Sequence, residues 1–234
     1  MLNLSREKSS NSARLICGID EAGRGPVLGP LVLCGVCFKD SDVNLLTKIG
    51  VKDSKKLISQ KREELALILE EKCVSYKLII ISVKEIDERE VKRITLNRLE
   101  ELKMAEIINE LKPDIIYIDA ADVNEDRFGR SINKLLEYKP KKIISKHKAD
   151  DIYPIVSAAS IIAKHRRDSI INQYKKEYGE IGSGYTSDSV TIQFLKDYII
   201  KHKKAPPFAR NSWETTQKII TEEVLTRKIT DFFT

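Results

Sequence analysis

The sequence predicts an α/β protein built on one mixed sheet, and three observations carry that prediction. Two strand-like runs, 14–20 and 30–38, stand close together with only a glycine- and proline-rich connection between them, which calls for an antiparallel pair. Further β-branched runs then alternate with helical patterns, as parallel strands joined by helices do. From about residue 189 strand-like runs stop and helical patterns alone continue.

The first strand leads through Leu15-Ile16-Cys17 into Gly18-Ile19-Asp20-Glu21-Ala22-Gly23-Arg24-Gly25-Pro26. The glycines and proline mark its sharp end. The second strand holds Cys34-Gly35-Val36-Cys37. A redox C-x-x-C needs a strand-to-helix turn, and a zinc site needs a second ligand pair. Residues three apart on a strand face opposite sides, so these cysteines read as small buried residues.

A polar stretch with Lys52-Asp53-Ser54-Lys55-Lys56-Leu57 precedes a helix over 59–73, whose apolar face carries Leu65, Ile68, Leu69 and Cys73. Residues 76–83 read as a third strand. A helix over 95–112 shows a stripe of Leu96, Leu99, Leu102, Ala105, Ile108 and Leu111, and Pro113 stops it. A short strand, 114–119, ends in Asp119. A helix over 128–138 and a strand over 141–145 follow, then the polar segment Lys146 to Asp151. Residues 154–178 read as a long helix, small and apolar at its start and basic afterwards. Residues 179–188 form a loop with three glycines. More helix runs to Lys203, Pro206-Pro207 breaks it, and a last helix covers 212–225. This divides the chain into a polar lead-in (1–13), a main α/β domain (14–188), a C-terminal helical subdomain (189–225) and a tail (226–234).

Charged residues make up 32% and hydrophobic ones 41%, a soluble globular composition. The formal net charge of +6 is compatible with a nucleic-acid partner. No apolar run reaches the roughly 18 residues of a membrane span. The Ser/Asn-rich start lacks the apolar core of a signal peptide, so a cytoplasmic protein is expected.

The chemistry concentrates at strand ends. Asp20 with Glu21, Asp119 with Asp122 nearby, and Asp150 beside Asp151 each follow a buried run. In α/β sheets, sites form where the chain leaves the core at such ends. Clustered carboxylates repel unless a cation compensates. Oxygen ligands without a His/Cys cluster favour Mg²⁺ or Mn²⁺ over zinc, and two such ions about 3.5–4 Å apart could straddle a phosphate. Strand-end aspartates also cap turns and helices, so capping stands as the alternative. Neighbours on a strand face opposite sides, so Asp20 and Glu21 share a site only if the chain bends, which Gly23 and Gly25 permit. A nucleotide-binding phosphate loop is excluded: the glycine spacing is wrong, Pro26 interrupts it, and no Gly-Lys-Ser/Thr follows.

Taken together, Gly18-Ile-Asp-Glu-Ala-Gly-Arg-Gly-Pro26, Asp53-Ser-Lys-Lys-Leu57, Tyr117-Ile-Asp-Ala-Ala-Asp122, Lys146-His-Lys-Ala-Asp150, Ser157-Ala-Ala-Ser-Ile-Ile-Ala-Lys164 with Arg167-Asp168, and Glu180-Ile-Gly-Ser-Gly-Tyr185 resemble the type 2 ribonuclease H (ribonuclease HII) family in its archaeal form. The resemblance covers roughly 14–215. It implies a ribonuclease H-like mixed sheet with flanking helices and a C-terminal helical part. It also implies metal-dependent cleavage of RNA in RNA–DNA hybrids and at ribonucleotides embedded in duplex DNA, 5′ to the ribonucleotide, leaving a 3′-hydroxyl and a 5′-phosphate. The family's four carboxylates fall on Asp20, Glu21, Asp119 and Asp150, which leaves Asp122 and Asp151 as supporting residues. Gly23, Arg24 and Gly25 correspond to the ribonucleotide-reading turn, and glycines there suit close approach to a 2′-hydroxyl. Tyr185 corresponds to a tyrosine that packs on the sugar at the RNA–DNA junction, although Thr186 stands where archaeal relatives often carry Pro. Lys55 and Lys56 look like the family's phosphate contacts, with His147, Lys148, Lys164 and the basic residues of 196–204 as further candidates. A protein that works alone, as a monomer, is expected.

The tail, Thr226-Arg-Lys-Ile229-Thr-Asp-Phe232-Phe233, resembles a sliding-clamp-binding box, with Thr226 where Gln is usual. Ile229, Phe232 and Phe233 would plug an apolar pocket on the clamp. The alternative is a tail folded onto its own body.

Overall fold

The computed structural model describes residues 13–51 and 58–226. Lys55 and Lys56 of the expected phosphate contacts, and Ile229, Phe232 and Phe233 of the tail, lie outside the described residues.

Among the described residues, five strands form one mixed sheet: β1 (Leu15–Ala22), β2 (Leu31–Lys39), β3 (Ser75–Ile81), β4 (Ile115–Asp119) and β5 (Lys142–Lys146), in the spatial order β3-β2-β1-β4-β5. The β1–β2 and β2–β3 pairs are antiparallel, and the β1–β4 and β4–β5 pairs are parallel. Both faces of β2 are buried as far as Phe38, as a strand covered on two sides requires. Cys34 packs into the core on one face and Cys37 into that on the other. They are buried free thiols, as their spacing implied.

One face is covered by α7 (Pro154–Tyr178) and α2 (Ser59–Lys72), the other by α4 (Leu96–Leu111) with α3 (Val83–Val91) and α5 (Glu125–Asn133). The run Val156–Ala163 of α7 is wholly buried. It lies so close to β1 that a Cβ on Gly18 would sit 2.1 Å from the Ile155 carbonyl oxygen. A third core joins α8 (Ser189–His202) and α9 (Glu214–Ile220) to Val27, Leu28, Ile171 and Phe208. The C-terminal helices therefore pack directly on the glycine-rich connection after β1.

The helix over 95–112 forms, with the Thr95 hydroxyl accepting from the Arg98 N–H at 3.1 Å. Its buried face differs from the expected stripe. Leu102 is exposed, whereas Leu99, Met104, Ala105, Ile107 and Ile108 are buried. Steps of three residues drift about 60° each around a helix, so a stripe read that way spirals off the core. The helix expected over 128–138 begins earlier, after the Asn124 cap, and ends at Asn133. The strand expected to reach Val83 stops at Ile81, Ser82 caps the next helix, and α3 starts at Val83. The signal for α3 was the capping sequence Ser82-Val-Lys-Glu85, whose Ser82 hydroxyl accepts from the Glu85 N–H at 3.2 Å. The sequence reading also passed over two short helices, α1 (Val43–Lys48) and α6 (Ala149–Ile152). The last expected helix is α9 followed by a π-helical turn, Thr221–Thr226. Among the described residues no helix is long and apolar enough to cross a membrane.

Candidate active site

The site grows from strand register. Ile19 of β1 lies opposite Ile118 of the parallel β4, so the next residues, Asp20 and Asp119, emerge side by side at one end of the sheet. Alternation sends Asp20 to the α7 face and Glu21 to the α4 face. The expected bend between these two acids is absent. The strand stays extended through Ala22 and turns at Gly23, whose φ is +87°. Although they leave the strand on opposite sides, the charge of Glu21 still acts on Asp20, and both feel the charge of Asp119.

Asp150 arrives from α6, which follows β5 through Lys148 in the left-handed conformation at φ 54°. Asp119 Oδ1 accepts from the Ala149 N–H at 2.8 Å, which ties the start of α6 to the end of β4. The Ser157 hydroxyl donates to the Asp150 carbonyl oxygen. Asp150 is buried and its neighbour Asp151 exposed. The four expected carboxylates thus fall at the same end of the sheet, Asp150 through its neighbour Ala149. Among the described residues, no three acids converge closely enough to enclose an ion unaided.

Asp20 is 4% exposed. Burial lifts its pKa well above the usual carboxylate range, the charges of Glu21 and Asp119 add to the rise, and the Ser160 hydroxyl opposes it. Glu21 is pushed up to about 8 by burial first, then by Glu100 and Asp119, with Arg24 opposing. Glu21 Oε2 is buried without a hydrogen-bond partner among the described residues. An unpartnered buried carboxylate oxygen is costly unless a cation meets it.

Beside these acids opens a cleft of about 450 Å³, lined by Glu21, Gly23, Arg24, Gly25, Lys164 and Tyr185 among others. Asp20, Asp119 and Asp150 are not in its lining. The Arg24 side chain is held from α4, with Nη1 2.5 Å from Glu100 Oε2 and Nη2 2.6 Å from Asn97 Oδ1. Tyr185 is 42% exposed, with the Arg167 guanidinium 5.2 Å from its ring centre. The preceding carbonyl, Gly184 O, accepts from the N–H groups of Val27 (2.8 Å) and Leu28 (3.2 Å), which docks the tyrosine loop onto the glycine-rich connection.

Of the other phosphate candidates, Lys164 faces this cleft, whereas His147 and Lys148 are exposed beside α6. Lys201 and His202 border a different groove with Tyr178 and Tyr198, and Lys196 is 3.7 Å from Glu223. Asp122 is committed to structure. It is buried, Arg127 Nη2 lies 2.5 Å from it, and it accepts from the Asn124 N–H (2.9 Å) and the Asn97 amide (3.1 Å). These partners, the Arg127 hydrogen bond foremost, hold its pKa down to about 2. A depressed acid stabilises the fold above its unfolded pKa of about 4 and loses that contribution as the pH falls through its folded value. Asp122→Ala should therefore cost about 1–2 kcal/mol at pH 7, discounted for the exposure of Arg127. Denaturant unfolding should show the gap closing between pH 4 and 2; a gap unchanged at pH 2 would contradict the assignment.

The sequence reading missed two residues that shape the site. Glu100 is fully buried, and burial lifts its pKa to about 7 against the pull of Arg24; it sits in the middle of a helix with nothing local to mark it. Arg210, also fully buried, follows the Pro206-Pro207 break and read only as loop.

Residues 17–216 match the model of a protein family described as Ribonuclease HII. A protein named Ribonuclease HII from Methanocella arvoryzae is 50% identical over 208 residues, spanning 88% of this chain and 92% of the relative. One of the same name from Pyrococcus furiosus is 48% identical over 206 residues, 87% of this chain and 90% of the relative. Among solved structures, ribonuclease H2 from Pyrococcus horikoshii OT3 superposes with a TM-score of 0.84 at 43% identity, covering 89% of this chain and 98% of that one. The ribonuclease HII in a PCNA:RNase HII complex from Archaeoglobus fulgidus gives 0.80 at 41% identity, covering 87% and 96%.

Proposed function

The chain belongs to the ribonuclease HII family and is a ribonuclease H acting on RNA paired with DNA, and from that premise we propose that Asp20, Glu21, Asp119 and Asp150 hold divalent metal for the cut while Gly23-Arg24-Gly25 and Tyr185 choose where it falls. One observation carries the metal reading: buried Asp20 and half-buried Asp119 stand side by side on parallel strands, and Glu21 beside them keeps an unpartnered buried oxygen among the described residues. An all-oxygen donor set of this kind suits Mg²⁺ or Mn²⁺. A pair of such ions, when bound, would supply an activated water and neutralise the leaving oxygen.

The remaining work falls to the chain's own groups. Asp119 carries one oxygen committed to the Ala149 N–H, so its carboxylate is held in one orientation. The Gly23–Gly25 turn lines the cleft with backbone, and backbone can approach a 2′-hydroxyl that side chains would crowd out. The Tyr185 ring, backed by Arg167, packs on the sugar beyond the ribonucleotide and leaves no room there for a second 2′-hydroxyl. Lys164 in the cleft, with Lys55 and Lys56, binds backbone phosphate. Cleavage then falls 5′ to a ribonucleotide, with a 3′-hydroxyl and a 5′-phosphate as products. The role is ribonucleotide removal during DNA replication and repair. Chelation should abolish cleavage of a ribonucleotide-containing duplex, and excess Mg²⁺ or Mn²⁺ should restore it; full activity in chelator would overturn the metal reading.

The tail adds a second reading. A homologue 41% identical is described in a complex with PCNA, and Ile229, Phe232 and Phe233 have the spacing of a clamp-binding box. The tail tethers the enzyme to a sliding clamp. Removal of residues 226–234 should abolish clamp binding without altering cleavage of free duplex; equal clamp affinity in both forms would rule this out.

A further inference from the structure

We propose that Arg210 is the positioning residue of the reading turn, fixing from the C-terminal segment the direction in which the N–H groups of Arg24 and Gly25 face the substrate. The inference rests on the reading of Gly23–Gly25 as the turn that senses the ribonucleotide.

Arg210 is a fully buried guanidinium, and among the described residues no carboxylate lies within ion-pair distance of it. Its donors end on main-chain oxygens instead. Nε donates to Gly29 O at 3.0 Å, Nη1 to Arg24 O at 2.8 Å, and Nη2 to Gly23 O. Taking such a cation out of water is costly, and neutral carbonyls offset this less well than a carboxylate would. Burial first, then the neighbouring Arg167, pulls its pKa down to about 9.

The same segment grips the turn at further points. The Arg210 N–H donates to Val27 O at 2.9 Å, and the Gly29 N–H donates to Phe208 O at 2.8 Å. The Trp213 indole N–H reaches Gly25 O at 3.3 Å, and the Arg210 guanidinium stands 4.7 Å from the Trp213 ring centre.

The consequence follows from peptide geometry. A trans peptide is planar, with its C=O and N–H pointing in opposite directions. Turning the carbonyls of Gly23 and Arg24 onto Arg210 therefore turns the N–H groups of Arg24 and Gly25 the other way. Both residues line the cleft, and neither N–H donates to a protein acceptor among the described residues. These are the donors left to meet an oxygen of the substrate. Arg210 touches no substrate and acts through the turn.

The test compares equilibrium binding of two duplexes that differ in one 2′-hydroxyl, all-DNA and single-ribonucleotide, with Mg²⁺ and an Asp119→Asn parent that does not cut. Arg210→Met should reduce the parent's preference for the ribonucleotide about tenfold, the worth of one well-made hydrogen bond. Arg210→Lys, which keeps the cation, should recover part of it. A purely structural role would lower the fraction of competent protein and leave the ratio of the two affinities unchanged. Unchanged ratios in folded variants would overturn the assignment of Arg210 alone. A parent with no preference would overturn the reading of the turn, and the assignment with it. Failure of both variants to fold would reduce Arg210 to a structural part.

Discussion

Asp119→Asn is expected to lower kcat by about a thousandfold or more while changing affinity for a ribonucleotide-containing duplex by no more than about threefold. The substitution removes one charge and little else. An Asn side-chain oxygen can still accept from the Ala149 N–H, so the join between β4 and α6 survives. The charge of Asp119 raises the pKa of both Asp20 and Glu21, so its removal relieves repulsion among buried acids. The metal-free variant should therefore unfold at the same temperature as the wild type or higher, the usual exchange of stability against activity at a strained site. Single-turnover cleavage, duplex binding and thermal unfolding together check this. Loss of cleavage with loss of folding would point to a structural part for Asp119.

Gly25→Ala should separate substrate reading from folding. A Cβ at Gly25 meets nothing within 4 Å, and the backbone there is not left-handed. The fold itself gives no reason for glycine, and the change should leave stability within about 1 kcal/mol or raise it slightly. Gly25 lines the cleft, and on the proposed reading a methyl there would stand in the path of the sugar. Cleavage of a single-ribonucleotide duplex should fall at least tenfold, about 1.4 kcal/mol of lost transition-state stabilisation. Gly23→Ala supplies the contrast. Its Cβ would lie 2.4 Å from Arg167 Nε and 2.7 Å from Pro30 O, in a backbone at φ +87°. That strain costs about 1–3 kcal/mol, so stability and cleavage should fall together. Full activity in Gly25→Ala would remove the turn from substrate recognition.

Much of this was legible in the sequence, because strand patterns and terminal carboxylates are local signals. The runs ending in Asp20 and Asp119 read as strands, and parallel pairing then sets their acids side by side. Recognition of six ordered motifs chose Asp119 over Asp122 and Asp150 over Asp151, which spacing alone left open. In the structure Asp122 is saturated by Arg127, Asn124 and Asn97, and Asp151 is exposed. What stayed hidden depends on long-range contact. Glu100 reaches Arg24 from 76 positions away, and Arg210 reaches Gly23 from 187 away. No local pattern marks a buried charge whose partner is that remote. The missing bend between Asp20 and Glu21 has the same origin: proximity to Asp119 comes from the neighbouring strand, not from the turn that follows.

The central claim is that one short segment, the end of β1 and the turn that follows it, carries both chemistry and choice, with acids for metal on Asp20 and Glu21 and a 2′-hydroxyl reader on Gly23–Gly25. The most direct measurement maps the cut in a DNA duplex bearing a single ribonucleotide, with Mg²⁺ or Mn²⁺, beside the same duplex made wholly of DNA. The predicted result is one incision on the 5′ side of the ribonucleotide, leaving a 3′-hydroxyl and a 5′-phosphate, with the all-DNA duplex intact. Cleavage of both duplexes at similar rates, or incision away from the ribonucleotide, would contradict it.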